Sequence, residues 1–202
     1  MSIIEQCIEW NSPFLINFID FKKAFDSVNR KTPWFILRNY GIPSKLVTTI
    51  NMFYEKFECS IILNNNTSDW FQIESGVRKW CVISPILFLI TIDWVMKKST
   101  SDKSRGIQWD LLSHLEDLDF ADDLAILSAN FNNMQEKSSL FNKYSNQTGL
   151  HVSTTKTKAM KINSKATSQI KIGNTLIEYV EELIYLGSPI STDNAAQKCI
   201  KA

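Results

Sequence analysis

The stretch LEDLDFADDLAIL, residues 115–127, is the most informative segment of this 202-residue chain. Polar and apolar residues alternate from Leu115 to Phe120, and the run from Leu124 to Leu127 is apolar. Both runs are typical of strands, so we predict a hairpin whose tip carries the adjacent acids Asp122 and Asp123. Two carboxylates that close repel each other and push one pKa upward. A divalent cation that neutralises both would explain why they lie together.

A third acid belongs to the same hypothesis. Asp20 follows the apolar, strand-like run Phe14–Ile19. If this run lies beside the hairpin, three carboxylates converge on one point, and their oxygens suffice for two magnesium ions. Paired metal ions held by carboxylates are typical of nucleotidyl transfer, which is the chemistry that we predict.

The composition limits the functional classes. With 44% apolar residues the chain can bury a core, and we predict one domain over residues 1–202. The formal charge is +1, from 22 basic and 21 acidic residues, so nucleic-acid affinity has to come from a local groove. Four scattered cysteines and two histidines do not match a zinc site, which leaves carboxylates as metal ligands.

The sequence predicts neither a membrane span nor an export signal. The most apolar stretch, Pro85–Met96, contains Asp93 and is about 12 residues long, whereas a span needs roughly 20. The N-terminus lacks the order of basic and then apolar residues found in signal peptides. Because the cysteines are expected to be reduced, we expect a cytoplasmic or nuclear location.

Helical and strand patterns follow one another along the chain. Helices are predicted over residues 32–40 and about 132–147. A third runs from Ser44 to Phe57 and carries a stripe of apolar residues that should pack on the sheet. A fourth, capped by Ser84, is apolar on all sides and should lie in the core. The predicted strands are 14–19, 59–63, 70–73, 106–109, 115–127, 158–162, 169–172 and 183–186. This order favours an α+β fold, an antiparallel sheet with helices packed on one face. We expect core positions, not base-stacking platforms, for the aromatic residues Trp34, Phe53, Tyr54, Trp70 and Trp94.

Five short motifs occur in the order of the palm motifs of reverse transcriptases. They are Phe18–Val28, Gly76–Arg78 with Ser84–Phe88, Leu118–Asp123, Gly149-Leu150 with Lys156–Lys158, and Tyr185–Ser188. The chain resembles the non-LTR (LINE-type) retrotransposon branch of that family over nearly its whole length. The resemblance implies a right-hand polymerase palm and RNA-directed DNA polymerase activity.

The resemblance assigns roles to particular residues. It implies that Asp20, Asp122 and Asp123 bind two Mg²⁺ ions, with Mn²⁺ as an alternative; one ion activates the primer 3′-hydroxyl and the other stabilises the triphosphate. Lys156 matches a lysine that is a candidate proton donor or charge partner for pyrophosphate. Tyr185–Ser188 resembles the segment that supports the primer end. The implied partners are an RNA template, a DNA primer and deoxynucleoside triphosphates, with no membrane and no known protein partner.

Nucleotide contacts are implied for Phe21, Phe25, Arg78 and Lys79. Phe25 matches a steric gate, where a bulky ring would collide with a ribose 2′-hydroxyl. Structural roles compete with these assignments: Phe25 could be part of the core, and Arg78 with Lys79 could be a solvated pair. Adjacent acids such as Asp122 and Asp123 are also common in surface turns.

The chain departs from the family pattern in the loop Gly76–Cys81. Family members read Gly-x-Arg-Gln-Gly-Cys there, whereas this chain has Lys79 and Trp80 in place of the glutamine and second glycine. Lysine lacks the donor and acceptor pair of an amide, and an indole fills the space that glycine leaves open. We hypothesise that Trp80 blocks or displaces the nucleotide and impairs the enzyme. Because most of the fingers and thumb segments are missing from the pattern, we interpret the chain as a palm truncated at both ends. The alternative is a non-catalytic remnant that binds nucleic acid or a partner.

Overall fold

A computed structural model describes residues 3–55, 58–73, 76–77, 81–101, 105–108, 113–164 and 167–192. In these ranges the helices are α1 Ile3–Glu9, α2 Ala24–Ser27, α3 Thr32–Asn39, α4 Ser44–Met52, α5 Ile83–Ser99 and α6 Phe131–Gln147. The strands are β1 Phe14–Ile19, β2 Glu58–Cys59, β3 Ile62–Leu63, β4 Asn66–Thr67, β5 Phe71–Gln72, β6 Ile107–Gln108, β7 His114–Leu115, β8 Asp117–Phe120, β9 Asp123–Ser128, β10 Lys158–Ile162, β11 Lys171–Ile172, β12 Thr175–Leu176, β13 Glu178–Tyr179, β14 Glu182–Tyr185 and β15 Ser188–Ser191. None of the described helices is long and apolar enough to cross a membrane.

A five-stranded sheet with the order β13-β10-β1-β9-β8 forms the centre of the molecule. β1 lies in the middle and pairs antiparallel with both β9 and β10, whereas β13 is parallel to β10. All six residues of β1 are buried, because both faces of the sheet are covered. The predicted α+β architecture is confirmed.

Side chains that alternate along β1 belong to two different apolar clusters, as the period of a strand requires. Leu15 and Ile19 face a core built with α3, α5 and α6. Phe14, Ile16 and Phe18 face a second core built with α1 and residues of the β14–β15 hairpin. The helices predicted on one face are therefore present, and the sequence did not predict what covers the opposite face.

Two predicted apolar surfaces are more exposed than expected. α4 ends at Met52, buries only Val47 and packs against α3, so it is not the sheet-packed helix that the stripe predicted. α5 begins at Ile83, not at a Ser84 cap, and leaves Ile86 and Leu89 about half exposed. An all-round apolar helix carries no directional signal, so its buried side could not be predicted.

The core positions predicted for the aromatic residues are confirmed for some of them and wrong for others. Trp34 and Tyr54 are buried, as predicted, and Trp94 is partly buried. Phe53 and Trp70 are 59% and 68% exposed, so their predicted core positions are wrong. Both residues lie just outside regular elements, where helix or strand periodicity does not determine which way a side chain points.

Candidate active site

The register of the central sheet brings Asp20 next to Asp123. Ile19 pairs with Leu124, so the following residue of the β1 segment stands opposite Asp123 at the start of β9. On the other side Phe18 pairs with Lys158, and the same register continued by two residues leads to Lys156. Three predicted site residues thus meet at one end of the sheet.

Asp122 lies in the two-residue connection between β8 and β9. Phe120 and Asp123 form the last pair of the hairpin, so Ala121 and Asp122 make the turn. Ala121 has a φ of +58°, a left-handed conformation that non-glycine residues seldom adopt. Such local strain is typical of functional sites, where the surrounding fold holds it in place.

A cavity of about 230 Å³ opens at this end of the sheet. Its walls include all three predicted metal ligands together with the charged side chains of Lys23, Asp26 and Lys156. Four carboxylates against two ammonium groups give the lining a formal charge of −2. A cavity of this charge attracts cations.

The electrostatics of Asp123 reflect this crowding. Partial burial, followed by the charges of Asp122 and Asp20, raises the pKa of the Asp123 carboxyl. The ammonium group of Lys156 lies 3.6 Å from Asp20 Oδ1 and is largely exposed, so this pair is a weak surface contact. The sequence predicted one raised pKa for the adjacent acids, and the structure assigns it to Asp123.

As they stand, the carboxylates are close without forming a ready-made ligand set. Among the described residues, no three His, Cys, Asp or Glu side chains are gathered tightly enough to hold a metal ion. All three predicted carboxylates nevertheless line the same cavity, and their role as metal ligands stays a prediction. Like charges favour separation, and Asp20 is drawn towards Lys156. The donor set still fits a hard divalent cation, since it offers only carboxylate oxygens in a cavity of negative charge.

Phe25 also lines the cavity, from the short helix α2. Its ring stacks on Phe88 of α5 with centroids 4.4 Å apart and planes inclined by 24°. The competing core role is thus present, because the ring packs on α5. The residue also contributes to the cavity wall, and the gate stays a prediction. The Phe25 carbonyl accepts a hydrogen bond of 2.8 Å from the Val77 N–H.

Two glycines pack closely against the backbone that follows Phe25. Gly76 has a φ of +80°, and a Cβ there would lie 2.8 Å from the backbone of Asp26. Gly149 has a φ of +83°, and a Cβ there would lie 2.5 Å from the carbonyl oxygen of Ser27. Only glycine tolerates both the conformation and the contact. These two predicted motifs therefore position the segment that carries Phe25.

The other predicted nucleotide contacts are less informative. Phe21 contributes to the cavity wall, but it is 6% exposed and its ring stacks on Phe141 of α6. Little of that ring is accessible to a nucleotide. Arg78 and Lys79, together with Trp80, lie outside the described residues.

Tyr185 extends the site from the β14–β15 hairpin. Its hydroxyl donates a 3.1 Å hydrogen bond to the backbone carbonyl of Asp123, and its ring lies 5.0 Å from that of Phe18. Burial, then the nearby charges of Asp123 and Asp119, raise the pKa of Tyr185, so the hydroxyl keeps its proton and remains a donor. This contact fixes the position of the Asp123 backbone.

A buried ion pair at the base of the β8–β9 hairpin was not predicted. Lys137 of α6 is fully buried and forms an ion pair with Glu116 Oε2. The ammonium also donates to the carbonyls of Leu127, at 2.7 Å, and Glu116, at 3.2 Å. Glu116 Oε1 accepts from the N–H groups of Arg105 and Gly106. Burial lowers the pKa of Lys137, and the nearby Glu116 opposes that shift.

Sequence comparison identifies the family of this chain. The family model for reverse transcriptase (RNA-dependent DNA polymerase) matches residues 7–190. The chain belongs to the reverse transcriptase family. The resemblance recognised in the five motifs is confirmed by a match that includes every predicted site residue.

Two similar proteins are polyproteins of retrotransposable elements. The retrovirus-related Pol polyprotein from the type-1 retrotransposable element R2 of Popillia japonica is 28% identical over 109 residues, which are 54% of this chain and 18% of that protein. The corresponding polyprotein of Nasonia vitripennis is 24% identical over 184 residues, 85% of this chain and 18% of that protein. The reverse transcriptase domain described here thus spans less than a fifth of these relatives, and it resembles that of non-LTR retrotransposons.

A solved structure shows the same fold. Apo telomerase from Candida tropicalis, truncated from its C-terminal domain, superposes with a TM-score of 0.64 at 14% identity. The match covers 93% of this chain and 36% of the telomerase chain. At this identity the similarity establishes the fold alone, and it supports the assignment of the central sheet as a polymerase palm.

Proposed function

We propose that this reverse transcriptase domain provides the palm active site for RNA-templated DNA synthesis by a non-LTR retrotransposon. The observation that carries the proposal is the meeting of Asp20 and Asp123 in adjacent strands, with Asp122 and Lys156 at the same cavity. The substrates would be a DNA primer on an RNA template and deoxynucleoside triphosphates.

Divalent metal ions are general in the reverse transcriptase family, and we assign Asp20, Asp122 and Asp123 as their ligands here. When bound, two Mg²⁺ ions would lower the pKa of the primer 3′-hydroxyl and neutralise the triphosphate. The primer oxygen forms a bond to the α-phosphorus while the bond to the β-phosphate breaks, and pyrophosphate leaves. Lys156 lies on the cavity wall, and we assign it to protonate or pair with the pyrophosphate.

Phe25 is proposed to select deoxynucleotides. Its ring is held between the cavity and Phe88, and its backbone is fixed by Gly76 and Gly149, so the ring cannot easily retreat from a 2′-hydroxyl. Phe25→Ala should therefore lower the preference for deoxynucleotides over ribonucleotides by about tenfold or more. Unchanged discrimination in an active variant would exclude the gate.

Metal binding is tested first because it does not require activity. We expect Mg²⁺ to raise the unfolding midpoint of the native chain, by about 1.4 kcal/mol of stability at ten times the dissociation constant. Asp20→Asn, Asp122→Asn and Asp123→Asn should each lose most of that gain. Asp69→Asn, an exposed acid outside the cavity, is the matched control. An equal Mg²⁺ effect in all four variants would overturn the ligand assignment.

Polymerase activity is tested by primer extension on an RNA template with Mg²⁺ and deoxynucleotides. Extension by the native chain that Asp122→Asn and Asp123→Asn each abolish would establish a working active site. If Mg²⁺ stabilises the native chain but neither it nor any variant extends the primer, the alternative predicted from the sequence is supported. That alternative is a palm that has lost catalysis. Lys79 and Trp80, which replace the glutamine and glycine of the family, are the residues that favour this alternative.

A further inference from the structure

A second cleft, larger than the catalytic cavity, lies between α3 and the C-terminal half of α5. Its volume is about 460 Å³, within the range of roughly 300–1,000 Å³ typical of ligand sites. The residues that matter here are Phe35 and Tyr40 on the α3 side and Trp94, Lys97 and Lys98 on α5. We call this feature the α3–α5 cleft, and it shares no lining residue with the catalytic cavity.

One wall of the α3–α5 cleft is fixed by polar contacts. The Tyr40 hydroxyl donates a 2.6 Å hydrogen bond to Asp93 Oδ2, and Lys97 Nζ binds the same oxygen at 2.8 Å. Lys97 also lies 4.9 Å from the centroid of the Tyr40 ring. Burial and then the hydrogen bond to Asp93 raise the pKa of Tyr40, so its hydroxyl remains a donor at neutral pH. The acid of this wall is thus already engaged by two partners.

Two aromatic rings remain available to a ligand. Phe35 is 58% exposed although it is a large apolar residue on a packed helix. Trp94 is partly buried and is held from behind by Tyr144 of α6, with centroids 5.7 Å apart and planes at 87°. An exposed ring beside a braced indole can stack on a flat group such as a nucleobase.

The surroundings of the rings are basic. Lys98 adds a second ammonium to that of Lys97, and Lys143 of α6 lies 5.6 Å from the ring that braces Trp94. Arg38 is exposed one helical turn after Phe35. Exposed aromatic rings interleaved with cations suit a ligand that carries both flat rings and phosphates. An acidic peptide would use only the cations.

We propose that the α3–α5 cleft binds single-stranded nucleic acid, with a base against Phe35 and Trp94 and phosphates near Lys97 and Lys98. The cleft is separate from the catalytic cavity. Phe88, which stacks on the proposed gate residue, and Lys98 are ten residues apart on α5, about 15 Å along the helix axis. The proposal can therefore be tested independently of catalysis.

The test is fluorescence anisotropy with a labelled 12-nucleotide oligothymidylate at several salt concentrations. We expect Phe35→Ala to weaken binding about tenfold, while the control Phe53→Ala, at a phenylalanine 59% exposed outside the cleft, leaves it unchanged. Lys98→Gln should reduce the slope of log affinity against log salt by about 0.7, and the exposed control Lys171→Gln should not.

Three results would overturn the proposal. The first would be that the native chain does not bind the oligonucleotide. The second would be that the Phe35→Ala and Phe53→Ala variants bind it with equal affinity. The third would be that an oligoglutamate of equal charge displaces the labelled oligonucleotide as efficiently as the unlabelled oligonucleotide does. The last result would assign the cleft to an acidic polypeptide instead. Because Phe35 is more than half exposed, its substitution should leave the unfolding midpoint nearly unchanged, and Lys98→Gln provides a second variant without any change to the apolar surface.

Discussion

Replacing Lys137 by methionine should destabilise the domain severely. Methionine has a similar length but no charge, so the variant leaves the Glu116 carboxylate, 7% exposed, without its ion-pair partner. Removing one member of a buried pair typically costs about 3–5 kcal/mol. With an m-value of roughly 2 kcal/mol per molar urea, the unfolding midpoint should fall by about 1.5–2.5 M.

A second variant, Glu116→Gln, completes a double-mutant cycle with Lys137→Met and separates the effect of charge from that of packing. Glu116→Gln keeps an oxygen that can accept from the Arg105 and Gly106 N–H groups but removes the negative charge. The double variant Lys137→Met, Glu116→Gln should therefore be more stable than Lys137→Met alone. Its stability relative to the single variants gives the coupling energy of the pair.

Urea unfolding followed by circular dichroism measures all three variants, with Lys143→Met as the matched control on the exposed side of α6. The control should change stability by less than about 1 kcal/mol. A loss below about 1 kcal/mol, or a double variant no more stable than Lys137→Met, would refute this reasoning.

Three further predictions concern the active site. Burial and neighbouring charges raise the pKa of Asp123. At pH values just above the ordinary pKa of an aspartate, the native state therefore binds more protons than the unfolded state. At neutral pH the charged carboxylate opposes folding. Asp123→Asn should therefore raise the unfolding midpoint at pH 7, by less than about 1 kcal/mol, and leave it unchanged at pH 3; the opposite pH trend would contradict this. Lys79→Gln with Trp80→Gly should increase primer extension, and a revertant no more active than the native chain would count against the hypothesis of a blocked nucleotide site. Gly149→Ala should cost about 3 kcal/mol in urea unfolding, since strain and a 2.5 Å backbone contact add, whereas Gly41→Ala, with a similar φ and open space, should cost about 1 kcal/mol; equal losses would show that the contact is unimportant.

The place of the candidate active site in the fold could be predicted from sequence because its signals are local. A two-residue turn with paired acids between strand patterns predicts a hairpin tip, and Asp20 ends a strand of matching apolar character. A register then determines which residues are neighbours. The close approach of Gly76 and Gly149 to the Phe25 segment involves residues far apart in sequence, which local patterns do not report.

The charge network could not be predicted for a related reason. Lys137 lies in a helix rich in polar residues, where a lysine is usually solvated. Only the tertiary structure shows that its neighbours on that face, Met134 and Phe141, are buried against the sheet. Exposed apolar positions such as Phe53 were mispredicted by the converse argument, because hydrophobicity alone does not say whether a partner surface exists.

The buried Lys137–Glu116 pair stabilises the β8–β9 hairpin, whereas repulsion among the acids at its tip destabilises it. Burial and then repulsion at the tip raise the pKa of Asp123. Lys137 binds carbonyls at the base, four residues away along β9 and therefore about 13 Å from the tip. Sites at this separation usually contribute additively. Asp123→Asn should thus recover a small part of the stability that Lys137→Met loses. In that background, as in the native chain, it should also remove most of the Mg²⁺-dependent rise of the unfolding midpoint. Strong non-additivity would mean that the base of the hairpin sets the electrostatics of its tip directly.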